Sequence, residues 1–180
     1  VDLISTGGTH KMIAAAGVAV REVSEVTGFP EMLDGRVKTI HPRIAGGVLA
    51  IRAHQDHMDA IAAHDIPPLE LVCVNLYQFE KIAAKEDATI EELIENIDIG
   101  GPTMIRAAAK NYQDVAVVTS ASDYPALLEE LQKNKGALSL DTHWTLAKKA
   151  FATTAAYDRA ISAKLSGIYV EQGIFETRTE

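Results

Sequence analysis
Apolar residues run almost without a break through Leu69, Leu71, Val72, Val74 and Leu76, the pattern of a strand covered on both faces in a parallel sheet. Shorter apolar runs at residues 1–5, 18–23 and 115–119 read as further strands. Between them the period lengthens to that of helices. Residues 9–16 predict an alanine-rich helix stopped by Gly17, and residues 54–64 an amphipathic one with Met58, Ile61 and Ala62 inward. Residues 44–50, which contain Gly46 and Gly47, read as a short helix or turn. Thr89 and Glu92 carry the capping-box signature and open a helix that runs to about Asn96. Further helices are expected over residues 104–111, with Pro102 in the first turn, and over 124–134, behind Ser122 and Asp123. The longest spans residues 140–166, where Trp144, Ala147, Phe151, Ala155, Ile161 and Leu165 recur at roughly helical spacing. From Gly167 the chain reads as an exit segment, residues 168–180. Strands alternating with helices make this an α/β protein, without internal repeats or low-complexity tracts.

Composition narrows the class. At 180 residues and 47% hydrophobic content the chain suits one domain with a substantial core. Its 25 acidic against 17 basic side chains give a net charge of -8, so nonspecific nucleic-acid binding has no overall electrostatic support, and an anionic small ligand requires a local basic pocket. Cys73 is the single cysteine; its apolar surroundings predict a buried, inert thiol, and one cysteine fits a reducing compartment. No apolar stretch approaches the ~20 residues of a membrane span, and no signal-peptide pattern opens the chain. The expectation is a soluble cytoplasmic protein.

Three stretches are candidates for chemistry. Residues 28–42 (GFPEMLDGRVKTIHP) mix two glycines, two prolines and charge, which marks irregular backbone. If residues 36–38 are extended, Arg36 and Lys38 project to one side, with Thr39 following, as an anion-facing edge; a solvated basic turn is the alternative. Thr6-Gly7-Gly8-Thr9 joins the first strand to the first helix, where backbone N–H groups and the two hydroxyls can meet a phosphate, unless it is a plain tight turn. It is neither a dinucleotide fingerprint nor a Walker loop. In residues 96–111, Gly100 and Gly101 precede Pro102 and leave free N–H groups pointing out of a helix start, Asp98 stands just before that positive end, and Arg106 and Lys110 share a face. Asp98 with Lys110 can hold a proton relay, or can be a capping aspartate and a surface lysine. Asn75 and Tyr77 follow the central strand at the end where open α/β sheets bind ligands. His54, His57 and His64 lie in a polar segment without a ligand set, and no metal is expected.

Together, S-T-G-G-T at residues 5–9, the 28–42 run and residues 96–111 resemble the inosine monophosphate cyclohydrolase domain of the bifunctional purine-biosynthesis enzymes, over the chain to about Gly167. The first motif is shared with other methylglyoxal-synthase-like domains. The resemblance implies a Rossmann-like parallel sheet flanked by helices, usually in a homodimer, acting without metal or organic cofactor on a small ribonucleotide, with no membrane or nucleic-acid partner. It implies that Lys38 polarises the formyl oxygen, Tyr77 orients the carboxamide, and Asp98 and Lys110 move protons. It assigns Thr6, Gly7, Gly8 and Thr9 to the phosphate, Arg36, Thr39 and Asn75 to further ligand contacts, and the amides of Ile99 and Gly100 to an oxyanion hole. Three departures stand out. Gln78 follows Tyr77 where the family has proline; the family's preceding strand, with a Ser/Lys-bearing loop, is not in this sequence; and neither is its formyltransferase domain. The rival readings are a phosphate-sensing regulatory module of the same fold, a methylglyoxal synthase, and an inactive dimerising fragment.

Overall fold
The computed structural model describes residues 1–171 and 173–177. In chain order it contains β1 (Ile4–Ser5), α1 (Gly7–Ala15), β2 (Arg21–Glu22), α2 (Val23–Thr27), α3 (Pro42–Leu49), α4 (Gln55–Ala62), β3 (Leu71–Cys73), α5 (Phe79–Ala83) and α6 (Ile90–Glu95). There follow α7 (Gly100–Lys110), β4 (Ala116–Val118), α8 (Tyr124–Lys133), α9 (Leu140–Ser166), β5 (Ile168–Glu171) and β6 (Ile174–Thr177). The α/β class holds, with parallel pairing, but the strands are short and form separate ladders. β1 pairs with β2, β3 pairs in parallel with β4 in the register Val72–Val117, and β5 pairs antiparallel with β6. The expected exit segment is therefore a hairpin through residue 177; residues 178–180 lie outside the described residues.

β4 carries the centre of the fold. All three of its residues are buried. On one side, Val117 and Val115 pack with Val72, Ile105, Ala108, Ala147 and Ala150; on the other, Ala116 and Val118 meet Leu127 and Leu146. The alanines of α7 and α9 let those helices approach closely, and the side-chain amide of Asn111 donates to the carbonyls of Val48 and Ala50, tying the end of α7 to the end of α3. A second cluster joins Val23, Val26 and Ile44 to Ile4 and Met104. It sets β1 and the 28–42 run beside α7.

Several expectations change here. The strand read over residues 69–76 is regular only at 71–73, and burial alternates along it: Val72 is buried while Leu71 and Cys73 are exposed. Cys73 is thus a surface thiol rather than a core one, although the backbone and neighbours around it desolvate the sulfur enough to push its pKa up. In α4, Ile61 turns inward and Ala62 outward. Helix α9 has the expected bounds, but its buried face is Leu146, Ala147, Ala150 and Thr154. Trp144, Phe151 and Ala155 face outward, Trp144 against the Tyr112 ring and Phe151 beneath the Arg106 guanidinium. The capping box forms as read: the Thr89 hydroxyl accepts from the Glu92 N–H and the Glu92 carboxylate from the Thr89 N–H. Among the described residues no helix is long and apolar enough to cross a membrane.

Candidate functional site
Residues 28–42 fold into a loop on left-handed backbone. Gly28 ends α2 at φ 68°, and Leu33, Asp34 and Gly35 follow at φ 55°, 53° and 88°. A leucine there is costly, and strain of this kind collects at functional sites. A Met32–Val37 bridge closes the turn, so tightly that a Cβ on Gly35 would stand 2.8 Å from Lys38 Cε. The last residues of the run serve the scaffold: His41 caps α3, its Nδ1 accepting from the Arg43 N–H, and Pro42 opens the helix.

Arg36 and Lys38 do not form one edge. Arg36 has helical backbone (φ -67°, ψ -25°), which breaks the period of two. Its guanidinium pairs with Glu95 at the end of α6, whereas Lys38 Nζ pairs with Glu31 at 3.2 Å. The Arg36 hydrogen bond and charge hold the Glu95 carboxyl below the ordinary glutamate range. The pair's contribution is therefore complete above that range and disappears as pH falls through the lowered value. Amide exchange at Arg36 and Val37, corrected for its intrinsic pH dependence, is expected to speed up across that acidic window, and Glu95→Gln to exchange fast already at neutral pH. Equal protection in variant and wild type at neutral pH would show that the pair does not hold the loop.

Beneath the loop is a cavity of about 240 Å³ lined by Thr6, Ser24, Phe29, Glu31 and Lys38. Lys38 Nζ lies 3.7 Å from where a Cβ on Gly7 would stand, at van der Waals distance, so the amine is seated over the glycine turn. Thr6 is extended and its side chain makes no capping bond. The N–H groups of Gly7, Gly8 and Thr9, without intrahelical acceptors, remain at the positive end of α1; Gly8 and Thr9 are exposed.

Past Lys38, the run reaches the start of α7. Thr39 Oγ1 lies 2.9 Å from the place of a Cβ on Gly100. Asp98 Oδ1 accepts from the Gly101 N–H at 2.8 Å, and a Cβ on Gly101 would meet Asp98 Oδ2 at 2.5 Å and Leu76 Cδ2 at 2.9 Å. The expectation of two glycine N–H groups left open thus fails at Gly101, which Asp98 occupies. Ile99, exposed, precedes the helix. The chain beyond β3 turns Val74 and Leu76 toward the core and leaves Asn75 and Tyr77 exposed. Lys110 sits in the last turn of α7, roughly 15 Å along the axis from Gly100, and is exposed. The structure brings Lys38, Thr6 and Gly7 together, and Thr39 with Gly100 and Asp98, but does not bring Lys110 to Asp98.

The sequence does not mark several residues here as site residues: Glu22, Val23, Ser24, Phe29 and Glu31 at the cavity, and Tyr157 beside Asp98. Ser24 lies in a five-residue helix too short to show a period, and Tyr157 reaches Asp98 from 59 residues away. Elsewhere, a larger cavity of about 420 Å³ is lined by Arg21, Glu25, Arg43 and Asp65 and by none of the expected site residues; Arg21 already pairs with Asp2 and Glu25. His54, Asp56 and His57 have ligand atoms within 4.8 Å of one another. His57 Nδ1 accepts from the Ile51 N–H, which puts the ring proton on Nε2 and removes the lone pair a metal would take. His64 is not in that group.

Against known proteins, the MGS-like domain family matches residues 1–103 and the AICARFT/IMPCHase bienzyme family residues 108–179. The Bifunctional purine biosynthesis protein PurH of Bradyrhizobium diazoefficiens is 63% identical over 162 residues, which is 90% of this chain and 30% of that protein. The chain thus spans under a third of that relative's length. A structure described as the crystal structure of ForH superposes with a TM-score of 0.79 at 32% identity, covering 91% of this chain and 85% of the other.

Proposed function
The chain belongs to the MGS-like domain family, and from that premise we propose that it is an inosine monophosphate cyclohydrolase domain. The substrate is 5-formamidoimidazole-4-carboxamide ribotide. Its carboxamide nitrogen attacks the formyl carbon and gives up one proton. The carbinolamine then loses its hydroxyl as water while the formamido nitrogen gives up its proton, and the purine ring closes. An amide nitrogen is a poor nucleophile, so the protein's tasks are positioning, stabilising the oxygen that becomes negative, and moving those protons.

The observation that carries this reading is Lys38 Nζ held over the Gly7 turn in a cavity that also includes Thr6. With the ribotide phosphate at Thr6, Gly7, Gly8 and Thr9, the ammonium lies within one small molecule's reach and can polarise the formyl oxygen. Tyr77 orients the carboxamide, with Asn75 and Thr39 as further contacts. Asp98, beside the α7 start, takes up a proton, and the amides of Ile99 and Gly100 face the developing oxyanion. Arg36 contacts the ligand only if it leaves Glu95. The placement of Lys110 gives a relay with Asp98 no support within one chain.

By the same reading residues 1–167 are the catalytic domain, acting in the cytoplasm as a homodimer without metal or organic cofactor. A formyltransferase domain accompanies it in the full-length protein, in keeping with a relative described as bifunctional. The family's preceding strand and its Ser/Lys loop would cover sheet edges that the two separate parallel ladders leave unpaired. A phosphate-sensing module would need the glycine turn but not Lys38, Tyr77 and Asp98. The test is to supply the formylated ribotide and follow the appearance of inosine monophosphate by absorbance, with and without EDTA. Ring closure well above the uncatalysed rate, insensitive to EDTA, is expected. Binding of the ribotide without any acceleration would favour the sensing module instead.

A further inference from the structure
We infer that Tyr157 is a positioning residue that holds both Asp98 and the Tyr77 segment in place, an inference that rests on the cyclohydrolase reading. Tyr157 projects from α9, and its hydroxyl accepts from the Asp98 backbone N–H at 2.8 Å while donating to the Asn96 carbonyl at 3.3 Å. One side chain thereby fixes the two backbone groups that set where Asp98 enters α7, and Asp98 in turn caps Gly101. The ring does a second job. It meets the Phe79 ring edge-on, with centroids 6.4 Å apart at 73°, and Phe79 is 1% exposed. The Phe79 N–H donates to the Tyr77 carbonyl at 2.9 Å, so the turn carrying Tyr77 is anchored through Phe79 to Tyr157.

The mounting is rigid. Tyr157 lies in the interior of the 27-residue α9, and Lys164 on the same helix donates to the Ala83 carbonyl at the end of α5, a second tie between the two helices. A tyrosine hydroxyl is protonated at neutral pH already, and desolvation raises the Tyr157 pKa further, so the hydroxyl donates to Asn96 while accepting from Asp98. A displacement of about 1 Å at a reacting group can cost two orders of magnitude in rate. A hydroxyl that touches no substrate can therefore set turnover.

The variants Tyr157→Phe and Tyr157→Leu separate the two arms. Tyr157→Phe keeps the ring against Phe79 and removes only the hydroxyl. It is expected to lower kcat about tenfold to a hundredfold with KM within about threefold of wild type, and with little change in melting temperature. Tyr157→Leu removes the ring contact too and loses more turnover. A kcat for Tyr157→Phe within about twofold of wild type, or a loss that merely tracks a collapse of the melting temperature, would overturn the inference. Amide exchange of Asp98, measured without substrate, makes the test independent of the assigned reaction: Tyr157→Phe is expected to speed it at least about tenfold, and unchanged exchange overturns the inference. A wild-type chain that fails to close the ring would count against the cyclohydrolase reading alone.

Discussion

Lys38→Ala is expected to slow ring closure by about a hundred- to a thousandfold while ribotide affinity changes little. The expectation follows from where the amine is held. Its side chain is 23% exposed, its loop passes through three successive left-handed residues, and its Nζ lies over Gly7 with Glu31 as counter-ion. A charge held this way needs little reorganisation when an oxyanion forms, so it stabilises the transition state more than the ground state. Glu31, 47% exposed, remains solvated in the variant, which limits the stability cost to about 1 kcal/mol or less. Steady-state kinetics of the 180-residue chain would check this through kcat and KM separately. An unchanged kcat with a raised KM would reduce Lys38 to a binding contact and reverse the roles assigned to it and to the glycine turn.

Gly47→Ala is expected to destabilise the fold by about 3 kcal/mol, the largest effect on stability expected here. A Cβ at Gly47 would stand 2.4 Å from the Pro67 carbonyl oxygen and 3.1 Å from Leu69 Cγ. The clash is with backbone, and the backbone cannot retreat easily. The Gly47 carbonyl accepts from the Leu69 N–H at 2.9 Å and from the Arg52 guanidinium at 3.0 Å, and that guanidinium also binds the Leu69 carbonyl at 2.9 Å. Separating α3 from the segment entering β3 would break these bonds and strain the packing that includes Val48 and Leu69. Gly46→Ala is the control. Its Cβ would meet the tip of Ile66 at 3.2 Å, a side chain that can move, and alanine gains up to about 1 kcal/mol of helix propensity, so near-neutral behaviour is expected. For a domain of this size the Gly47 variant should melt roughly 6–12 °C lower. Melting at the wild-type temperature would mean that α3 and the 67–69 segment are not in close contact.

Sequence alone determined the α/β class, the bounds of α9, the capping box at Thr89 and the glycine turn after the first strand, because each is written in a local pattern: a period, a cap or a turn residue. It also singled out three stretches, of which the 28–42 run touches the other two, at Gly7 and at Gly100, since glycine, proline and charge in irregular runs have few structural uses. Tertiary structure decided which of two apolar stripes of α9 is buried. Trp144 and Phe151 obey the helical period as well as Leu146 and Thr154 do, and only the position of α7 and β4 distinguishes them. It decided that the strand after Leu69 has one open face, since continuity of apolar residues does not say how many layers cover them. The folding of residues 168–177 into a hairpin depended on pairing between strands rather than on either strand's own pattern.

The same division runs through the site. The residue types in the 28–42 run are local information, but the partners of Arg36 and Lys38 are not: Glu95 is 59 residues from Arg36, and the turn that sends the two cations apart arises from left-handed backbone at Leu33 and Asp34 that no side-chain pattern announces. Helix geometry put Lys110 far from Asp98, and a hydroxyl from α9 reached Asp98 instead. A sequence fixes which groups are available and the periods they follow. Which of them meet is decided by long-range packing, where backbone approach at Gly47, Gly100 and Gly101 sets the distances between elements.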